Sequence, residues 1–311
     1  MIAFGPVPSR RLGQSLGINH IPPKVCTYSC VYCQVGRTNR LRVTRRAFYE
    51  PEEVRRAACA KVEQARAAGE TIDHVTLVPD GEPTLDVNLG RIVALLRPLG
   101  RPIAVISNAS LIGHADVRAA LQGAAWVSLK VDAVEEEAWR RINRPHGRLR
   151  LATILEGTLK FASFFQGRLV TETMLIAGLN DGEDQLEAVA RFLARLRPAA
   201  AYLSIPTRPP AETWVRAPTD EVLNRAYQRL AVAVERVELL VGYEGNAFAA
   251  TGKVEEDLLS ITAVHPMRRE AVEQVLARAG RDWSAVRQLI DQGKLVETRY
   301  AGQRFYMRKL P

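Results

Sequence analysis

The chain is poor in the residues that define several common protein classes. Its 311 residues include four cysteines, five histidines and only 6% aromatic residues. So few cysteines in a chain of this length exclude a disulfide framework, and no apolar run is long enough to cross a membrane. The N-terminus lacks the unbroken apolar segment of a signal peptide. We therefore predict a cytoplasmic protein with no membrane partner, built as one large domain or as a large and a small one.

Acidic residues are absent from the first 49 positions, and the first one along the chain is Glu50. The same segment contains eight basic residues, so it carries +8 of the formal net charge of +9. This positive surplus forms either a solvated basic face or the entrance of a site that binds phosphate or carboxylate groups.

Three of the four cysteines lie within eight residues, in the segment CTYSCVYC, as Cys26, Cys30 and Cys33. On a helix this spacing would only line one face, but the flanking residues are poor helix formers, so a loop is predicted. A structural zinc site needs four ligands, and no second cysteine pair or nearby histidine supplies them. Three thiolates on a four-iron cluster leave one iron open to a substrate or cofactor. Cys59 is interpreted as a small buried apolar residue, with a fourth ligand as the alternative.

Short apolar segments alternate with amphipathic helical segments through the middle of the chain. The predicted strands are residues 16–20, 74–78, 102–106, 125–131, 169–176 and 201–205, with 236–241 as a further candidate. This alternation predicts a parallel α/β sheet, and six or seven such units favour a complete or partial barrel.

The pattern changes after residue 253. Residues 254–263, 266–279 and 282–293 are predicted to be helices, and the segment LVETRYAGQRFYMRKL is predicted to be a hairpin. We therefore predict a barrel domain of residues 1–253 and a small winged-helix domain of residues 254–311. Basic residues lie beside aromatic ones in the hairpin, which suits phosphates and exposed bases. Peptide binding and a purely structural lid are the alternatives.

The cysteine segment resembles the Cx3CxΦC signature of the radical S-adenosylmethionine (SAM) superfamily, with Tyr32 as the aromatic residue. The resemblance implies an α/β fold, a partial (β/α)6-type TIM barrel, and a [4Fe–4S] cluster held by Cys26, Cys30 and Cys33. It implies that SAM binds the open iron, with backbone near Tyr32 approaching adenine. An external one-electron donor such as flavodoxin or ferredoxin would drive cleavage of SAM to a 5′-deoxyadenosyl radical, which takes hydrogen from the substrate.

Later strand ends extend this resemblance. Gly81, Glu82 and Pro83 are similar to the family's GGEP motif, with Asp80 at the first glycine position, and would receive the SAM ammonium. At the next strand end, Ser107 and Asn108 would contact the SAM ribose or carboxylate, with capping of the strand end as the alternative. The segment LLVGYEGNAF is similar to the glycine-bearing strand end near adenine, which implicates Gly242 and Gly245.

Three charged side chains are predicted to line the pocket as catalytic groups. Lys130 and Asp132 alternate with apolar residues and therefore share one face of a strand. A charged pair inside a barrel is costly unless a polar site uses it. Glu172 is the corresponding candidate on the following strand.

The runs FGPVPSRRLGQSLGIN and PPKVCTYSCVYCQVGRT are similar to the Fe–S oxidoreductase branch that includes the wybutosine-forming tRNA enzymes. Those enzymes use a second cluster with three further cysteines, whereas this chain has only Cys59 to spare. We predict a radical SAM enzyme acting on an anionic substrate, with an RNA nucleotide as one candidate. The alternatives are a small anionic metabolite, a protein or peptide substrate, or a non-catalytic Fe–S sensor, which would not need the polar strand ends.

Overall fold

A sheet of eight strands dominates the computed structural model, which describes residues 1–242, 248 and 253–309. In chain order the strands of the molecule are β1 (Ala3–Ser9), β2 (Gly13–Ile18), β3 (Val25–Cys26), β4 (Arg40–Leu41), β5 (His74–Leu77), β6 (Ile103–Ser107), β7 (Trp126–Lys130), β8 (Arg168–Met174), β9 (Ala200–Ser204), β10 (Val237–Leu240), β11 (Met267–Arg268), β12 (Leu295–Tyr300) and β13 (Gln303–Arg308). The helices are α1 (Pro51–Ala67), α2 (Leu89–Leu96), α3 (Ala115–Leu121), α4 (Glu136–Asn143), α5 (Leu151–Ala162), α6 (Glu183–Leu196), α7 (Asp220–Ala233), α8 (Val254–Val264), α9 (Arg269–Arg278) and α10 (Ser284–Asp291).

The main sheet is a curled half-barrel with the strand order β1-β2-β5-β6-β7-β8-β9-β10. All neighbours from β2 to β10 are parallel, which confirms the predicted α/β fold and each of the seven predicted strands. The sequence did not predict β1, which pairs antiparallel with β2 and contains two prolines. Proline is tolerated there because β1 is an edge strand with irregular register between Phe4 and Val7.

The turn between β1 and β2 fills one end of the half-barrel. Leu12 packs inside the curved sheet against Trp126, Tyr202 and Leu240. The carbonyl oxygen of Leu12 lies 3.0 Å from Nδ1 of His74, the first residue of β5. Side chains therefore occupy the amino-terminal end of the strands, and the carboxyl-terminal end is where a site can form.

The C-terminal segment contains three helices and a three-stranded antiparallel sheet of order β11-β13-β12. The three predicted helices and the hairpin are confirmed, but the second helix begins at Arg269 because Met267 and Arg268 pair with β13 as a strand. A second apolar core joins these helices to Phe4 and Val7 of β1. The domain boundary at residue 253 stays a prediction.

Two of the three aromatic residues of the hairpin are buried and cannot stack on bases. Phe305 and Tyr306 are each 1% exposed, and the Tyr300 hydroxyl donates to the Pro206 carbonyl at 3.1 Å. The expectation that these rings could stack on exposed bases is therefore wrong for Phe305 and Tyr306. Among the described residues, no helix combines the length and apolar character needed to cross a bilayer.

Candidate active site

A cavity of about 380 Å³ opens at the carboxyl-terminal ends of the parallel strands, within the size range of small-molecule sites. The predicted site residues in its wall are Cys26, Cys30, Tyr32, Cys33, Gly81, Glu82, Ser107, Asn108, Lys130 and Glu172. Pro83 and Asp132 are buried but lie outside the wall. Gly242 is exposed and accepts a 2.9 Å hydrogen bond from Arg10, and Gly245 lies outside the described residues.

The loop that carries the cysteines is fixed by backbone contacts. It begins at β3, which pairs with β4. The amide of Ser29 donates to the Asn143 carbonyl at 3.0 Å, and the amide of Val31 donates to the Ile142 carbonyl at 2.9 Å. The Thr38 hydroxyl donates to the Tyr28 carbonyl at 2.6 Å. The end of α4 therefore supports the loop from behind while the three thiols face the cavity.

The thiols have the surroundings expected of cluster ligands. Asn143 Nδ2 lies 3.4 Å from Cys30 Sγ, and Asn108 Nδ2 lies 3.5 Å from Cys26 Sγ. Burial raises the pKa of the Cys26 thiol to about 12 and also raises the pKa values of Cys30 and Cys33. Bound iron would supply the positive charge that stabilises three buried thiolates, and the amide donors suit sulfur ligands. The donor set therefore fits an iron–sulfur cluster.

The three thiols do not form a site for one metal ion. In the part of the chain that the structure describes, no three His, Cys, Asp or Glu side chains are grouped as ligands of a single ion. Cys59 lies on α1, away from the cavity wall, where Arg55 Nη1 contacts its sulfur at 3.8 Å.

Gly81 allows the cysteine loop to approach the second strand end closely. A Cβ atom at this position would lie 2.0 Å from the Val25 carbonyl oxygen, which is backbone and cannot move aside cheaply. The same oxygen accepts a 3.2 Å hydrogen bond from the Glu82 amide. A glycine is therefore required for the packing of β3 on this turn.

The Glu82 carboxylate connects two neighbouring strand ends. One oxygen accepts from the Ser107 hydroxyl at 2.7 Å and from the amide and hydroxyl of Thr84. The other accepts from the Asn108 amide at 2.8 Å. Although these donors favour the charged form, burial is the larger effect and raises the pKa of Glu82. The side chain therefore braces the ends of β5 and β6, and Ser107 and Asn108 take part in that brace.

Asp80 has a free acceptor beside the cavity. Its Oδ2 accepts from Asn19 Nδ2 at 3.0 Å, whereas its buried Oδ1 has no hydrogen-bond partner among the described residues. Burial raises the pKa of Asp80 to about 7. This carboxyl group lines the cavity next to the Gly81 turn.

The three predicted catalytic residues lie together. Lys130 Nζ is 3.0 Å from Glu172 Oε1 and 3.7 Å from Asp132 Oδ1. Although burial opposes its charge, Asp132 and Glu172 raise the pKa of Lys130. The Tyr32 hydroxyl donates to Asp132, and Lys130 Nζ lies 5.0 Å from the centre of the Tyr32 ring. Lys130 and Glu172 line the cavity, whereas Asp132 lies beyond the end of β7 and outside the cavity wall. The catalytic role of all three residues stays a prediction.

Arg11 completes this ion-pair network and was missed as a partner of Glu172. Its guanidinium pairs with Glu172 and lies 5.9 Å from the ring centres of both Trp126 and Tyr202. Burial favours the neutral form of Glu172, but Arg11 and Lys130 outweigh it and lower the pKa of that carboxyl. Arg11 is one of the eight basic residues of the first 49 positions, and in the structure its guanidinium is paired with Glu172.

Two other groups of basic residues have structural partners. Arg45 donates to the carbonyls of Thr84 and Asp86 at 2.8 and 3.0 Å and pairs with Asp116. Arg37 and Arg144 share Glu212, an acceptor that no sequence pattern indicated.

Comparisons with known proteins identify relatives over most of the chain. A model of the Radical SAM superfamily matches residues 21–193. The chain is 44% identical over 311 residues to the UPF0026 protein MJ1312 of Methanocaldococcus jannaschii, covering 99% of this chain and 96% of that protein. It is 33% identical over 226 residues to a UPF0026 protein of Helicobacter pylori strain 26695, covering 72% of each chain.

Solved structures share the fold at low sequence identity. A radical SAM methyltransferase from Sphaerobacter thermophilus has a TM-score of 0.55 and 17% identity, covering 73% of this chain and 66% of that one. A structure of TYW1 with a lysine-pyruvate adduct bound has a TM-score of 0.52 and 19% identity, covering 71% of this chain and 74% of that one. At these identities the likeness concerns the fold alone.

Proposed function

The chain belongs to the radical SAM superfamily, and from this membership we propose that it cleaves SAM reductively with a [4Fe–4S] cluster held by Cys26, Cys30 and Cys33. One observation carries the proposal. The three thiols share one cavity with the Gly81–Glu82 turn and the Lys130–Glu172 ion pair. A redox or iron sensor would need the thiols but would have no use for the rest of this wall.

A bound cluster would supply one electron that splits SAM into methionine and a 5′-deoxyadenosyl radical, which removes a hydrogen atom from the substrate. Members of the superfamily take this electron from an external donor, and we propose a flavodoxin or ferredoxin in the cytoplasm. The chain's own part is to bind and orient SAM and the substrate and to exclude water from the cavity.

Residues in and beside the cavity wall have proposed roles. Asn143 and Asn108 donate hydrogen bonds to ligand sulfurs. The backbone of the Gly81–Pro83 turn, together with the unpartnered Oδ1 of Asp80, would accept from the SAM ammonium. The backbone near Tyr32 and Gly242 would approach adenine, and Gly245 remains a candidate outside the described residues. Ser107 and Asn108 would face the ribose or carboxylate.

The charge of the cavity supports an anionic substrate. Its described wall contains five basic side chains and three acidic ones; the basic residues are Arg10, Arg11, Lys24, Lys130 and Arg208. Lys130 is held charged beside Asp132 and Glu172, so we propose that these three position the substrate and its proton. An RNA nucleotide is one form of such an anion. The C-terminal segment, which we propose to be a winged helix, would then contact the nucleic acid.

The test is an anaerobic assay of matched cysteine variants. After cluster reconstitution and reduction with dithionite, the wild type should convert SAM to 5′-deoxyadenosine. Cys30→Ala should lose the cluster absorbance and the cleavage together, because it removes a ligand. Cys59→Ala is the matched control and should keep both.

Normal cleavage by Cys30→Ala would refute the ligand assignment, and no cleavage by the reconstituted wild type would favour a non-catalytic cluster. The same assay with bulk tRNA distinguishes the substrates. If deoxyadenosine rises with tRNA and a nucleoside changes mass, the substrate lies in RNA. If tRNA has no effect, the substrate is a smaller anion or a protein.

A further inference from the structure

Two arginine-rich segments meet at the cysteine loop. Residues 27–49 and 138–155 contain ten arginines and no acidic residue, and Glu135, Glu136 and Glu137 directly precede the second segment. The two segments touch, since the His146 amide donates to the Thr27 carbonyl at 2.9 Å and Tyr28 forms a bridge with Pro145. Eight of these arginines are exposed, and five of the eight are named here the arginine surface: Arg37, Arg40, Arg141, Arg144 and Arg148.

The charge of this surface is only partly balanced. Glu212, whose side chain is 7% exposed, lies between Arg37 and Arg144 and accepts from both, at 2.9 Å and 2.5 Å. One buried carboxylate shared by two guanidiniums leaves a positive surplus. The Arg141 pair with Glu137 spans 3.9 Å between two exposed side chains, so solvent screens most of that interaction. The surface therefore presents a positive field to a partner.

The arginine surface lies close to the thiols but outside the cavity. None of its five members belongs to the cavity wall, which contains all three thiols. Arg144 follows Asn143, whose Nδ2 is 3.4 Å from Cys30 Sγ. Arg40 pairs in register with Val25, the residue before Cys26. A substrate has to enter the cavity, whereas an electron carrier only has to come close to the cluster ligands. A surface outside the cavity and near these ligands therefore suits an electron carrier better than a substrate.

We propose that the arginine surface docks an acidic one-electron carrier protein of the flavodoxin class. The inference rests on the proposed function, because it supplies the electron that the cluster needs. In the transfer, the anionic flavin hydroquinone loses one electron and becomes the neutral semiquinone, and the oxidised cluster gains that electron. No proton moves and no bond is broken. Charge complementarity would mainly raise the association rate.

The test compares two triple variants with equal change in charge. The surface variant is Arg40→Gln, Arg141→Gln and Arg148→Gln. The control is Arg191→Gln, Arg195→Gln and Arg225→Gln, which changes exposed residues of α6 and α7. The probe is a recombinant flavodoxin of strongly negative net charge. Binding of its oxidised form to the full chain is measured by calorimetry, and reduction of the reconstituted cluster by its hydroquinone is measured by stopped flow.

For the surface variant we expect about a tenfold loss of affinity and of reduction rate at low salt, and a weaker salt dependence. The control should change either quantity by less than about twofold. Deoxyadenosine formed with excess dithionite should be equal in all three proteins, because cluster reduction then does not depend on docking.

Equal losses in both triple variants, or no loss in the surface variant, would overturn the proposal. Loss of bulk tRNA binding by the surface variant, with flavodoxin binding unchanged, would also overturn it and assign the surface to RNA. Failure of the proposed function would give a different result: no deoxyadenosine would form even with dithionite. Docking is tested independently, because flavodoxin binding is measured without any SAM cleavage.

Discussion

Asn143 is the residue through which the fold acts most directly on the cysteines. Its Nδ2 lies 3.4 Å from Cys30 Sγ and 2.8 Å from Asp132 Oδ2, and its carbonyl anchors the Ser29 amide. One side chain thus connects a thiol to the ion-pair network that contains Lys130. Hydrogen bonds to cluster sulfurs stabilise the more negative, reduced state.

Replacing Asn143 with leucine should therefore lower the midpoint potential of the bound cluster. A hydrogen bond of about 1 kcal/mol corresponds to about 40 mV for one electron, which is the largest shift we expect. Redox titration followed by electron paramagnetic resonance measures it. Asn224→Leu, on exposed α7, is the control and should leave the potential unchanged. An unaltered potential in Asn143→Leu at full cluster content would contradict the role given to this amide.

Asp80 should make stability depend on pH in the cluster-free chain. Burial raises the pKa of this group from 3.8 to about 7. Between about pH 4 and pH 7 the folded state therefore holds a proton that the unfolded state has released, so the free energy of unfolding falls as pH rises. Asp80→Asn removes this loss. At pH 7 the free energy of unfolding of the variant should therefore exceed that of the wild type by up to about 4 kcal/mol. Urea unfolding at pH 4.5 and pH 8 measures the difference, and an equal gain at both pH values would refute it.

The sequence could predict the site residues that follow a local pattern, but not their long-range partners. Strand periodicity predicted that Lys130 lies on the inner face, and Lys130 lines the cavity, whereas Asp132 lies beyond the end of β7 and outside the cavity wall. Asn143 and Glu212 had no such signal. Their roles depend on contacts with Cys30 and Arg37, more than 100 positions away in the chain, and no local rule specifies such pairs.

At the scale of elements, the ends of β5 and β6 behave as one unit because Glu82 bonds to both. The strands themselves were predictable from apolar periodicity, whereas β1 was not, because its prolines are typical of loops. The brace itself could not be inferred either. The Gly81-Glu82-Pro83 turn indicated an acceptor for SAM, but its carboxylate accepts from Ser107, Asn108 and Thr84 within the protein.

Glu82→Gln should destabilise the protein and loosen this part of the cavity. The amide nitrogen of glutamine would face a donor, leaving at least one buried donor without an acceptor, at a cost of about 1–3 kcal/mol. Urea unfolding of the cluster-free chain measures this cost. Glu53→Gln, on the exposed side of α1, is the control and should change stability by less than about 0.5 kcal/mol. A loss no greater than that of the control would show that Glu82 is not a brace.

At the scale of the whole molecule, the C-terminal segment contacts two parts of the half-barrel: it packs on β1 and it reaches the cavity. His265, at the end of α8, lines the cavity and lies 3.0 Å from the Arg208 guanidinium. Arg208 also donates to Gln34, the residue after Cys33, at 2.6 Å. The Tyr300 hydroxyl bonds to Pro206 in the same loop. The C-terminal segment therefore contributes His265 to the wall of the site and contacts, through His265 and Tyr300, the loop that carries Pro206 and Arg208.

Because Phe4 and Val7 of β1 belong to the same core as α8, damage to that core should spread into the half-barrel. Leu258 is fully buried there, and Leu258→Ala should lower the free energy of unfolding by about 2–5 kcal/mol. Hydrogen exchange should then rise in β1 and in residues 206–208 as well as in residues 254–309. Val232→Ala, at a position 90% exposed on α7, should change neither quantity. Faster exchange confined to residues 254–309 would instead mean that the chain divides at residue 253 into units that open independently, and the coupling argued from the shared core would be wrong.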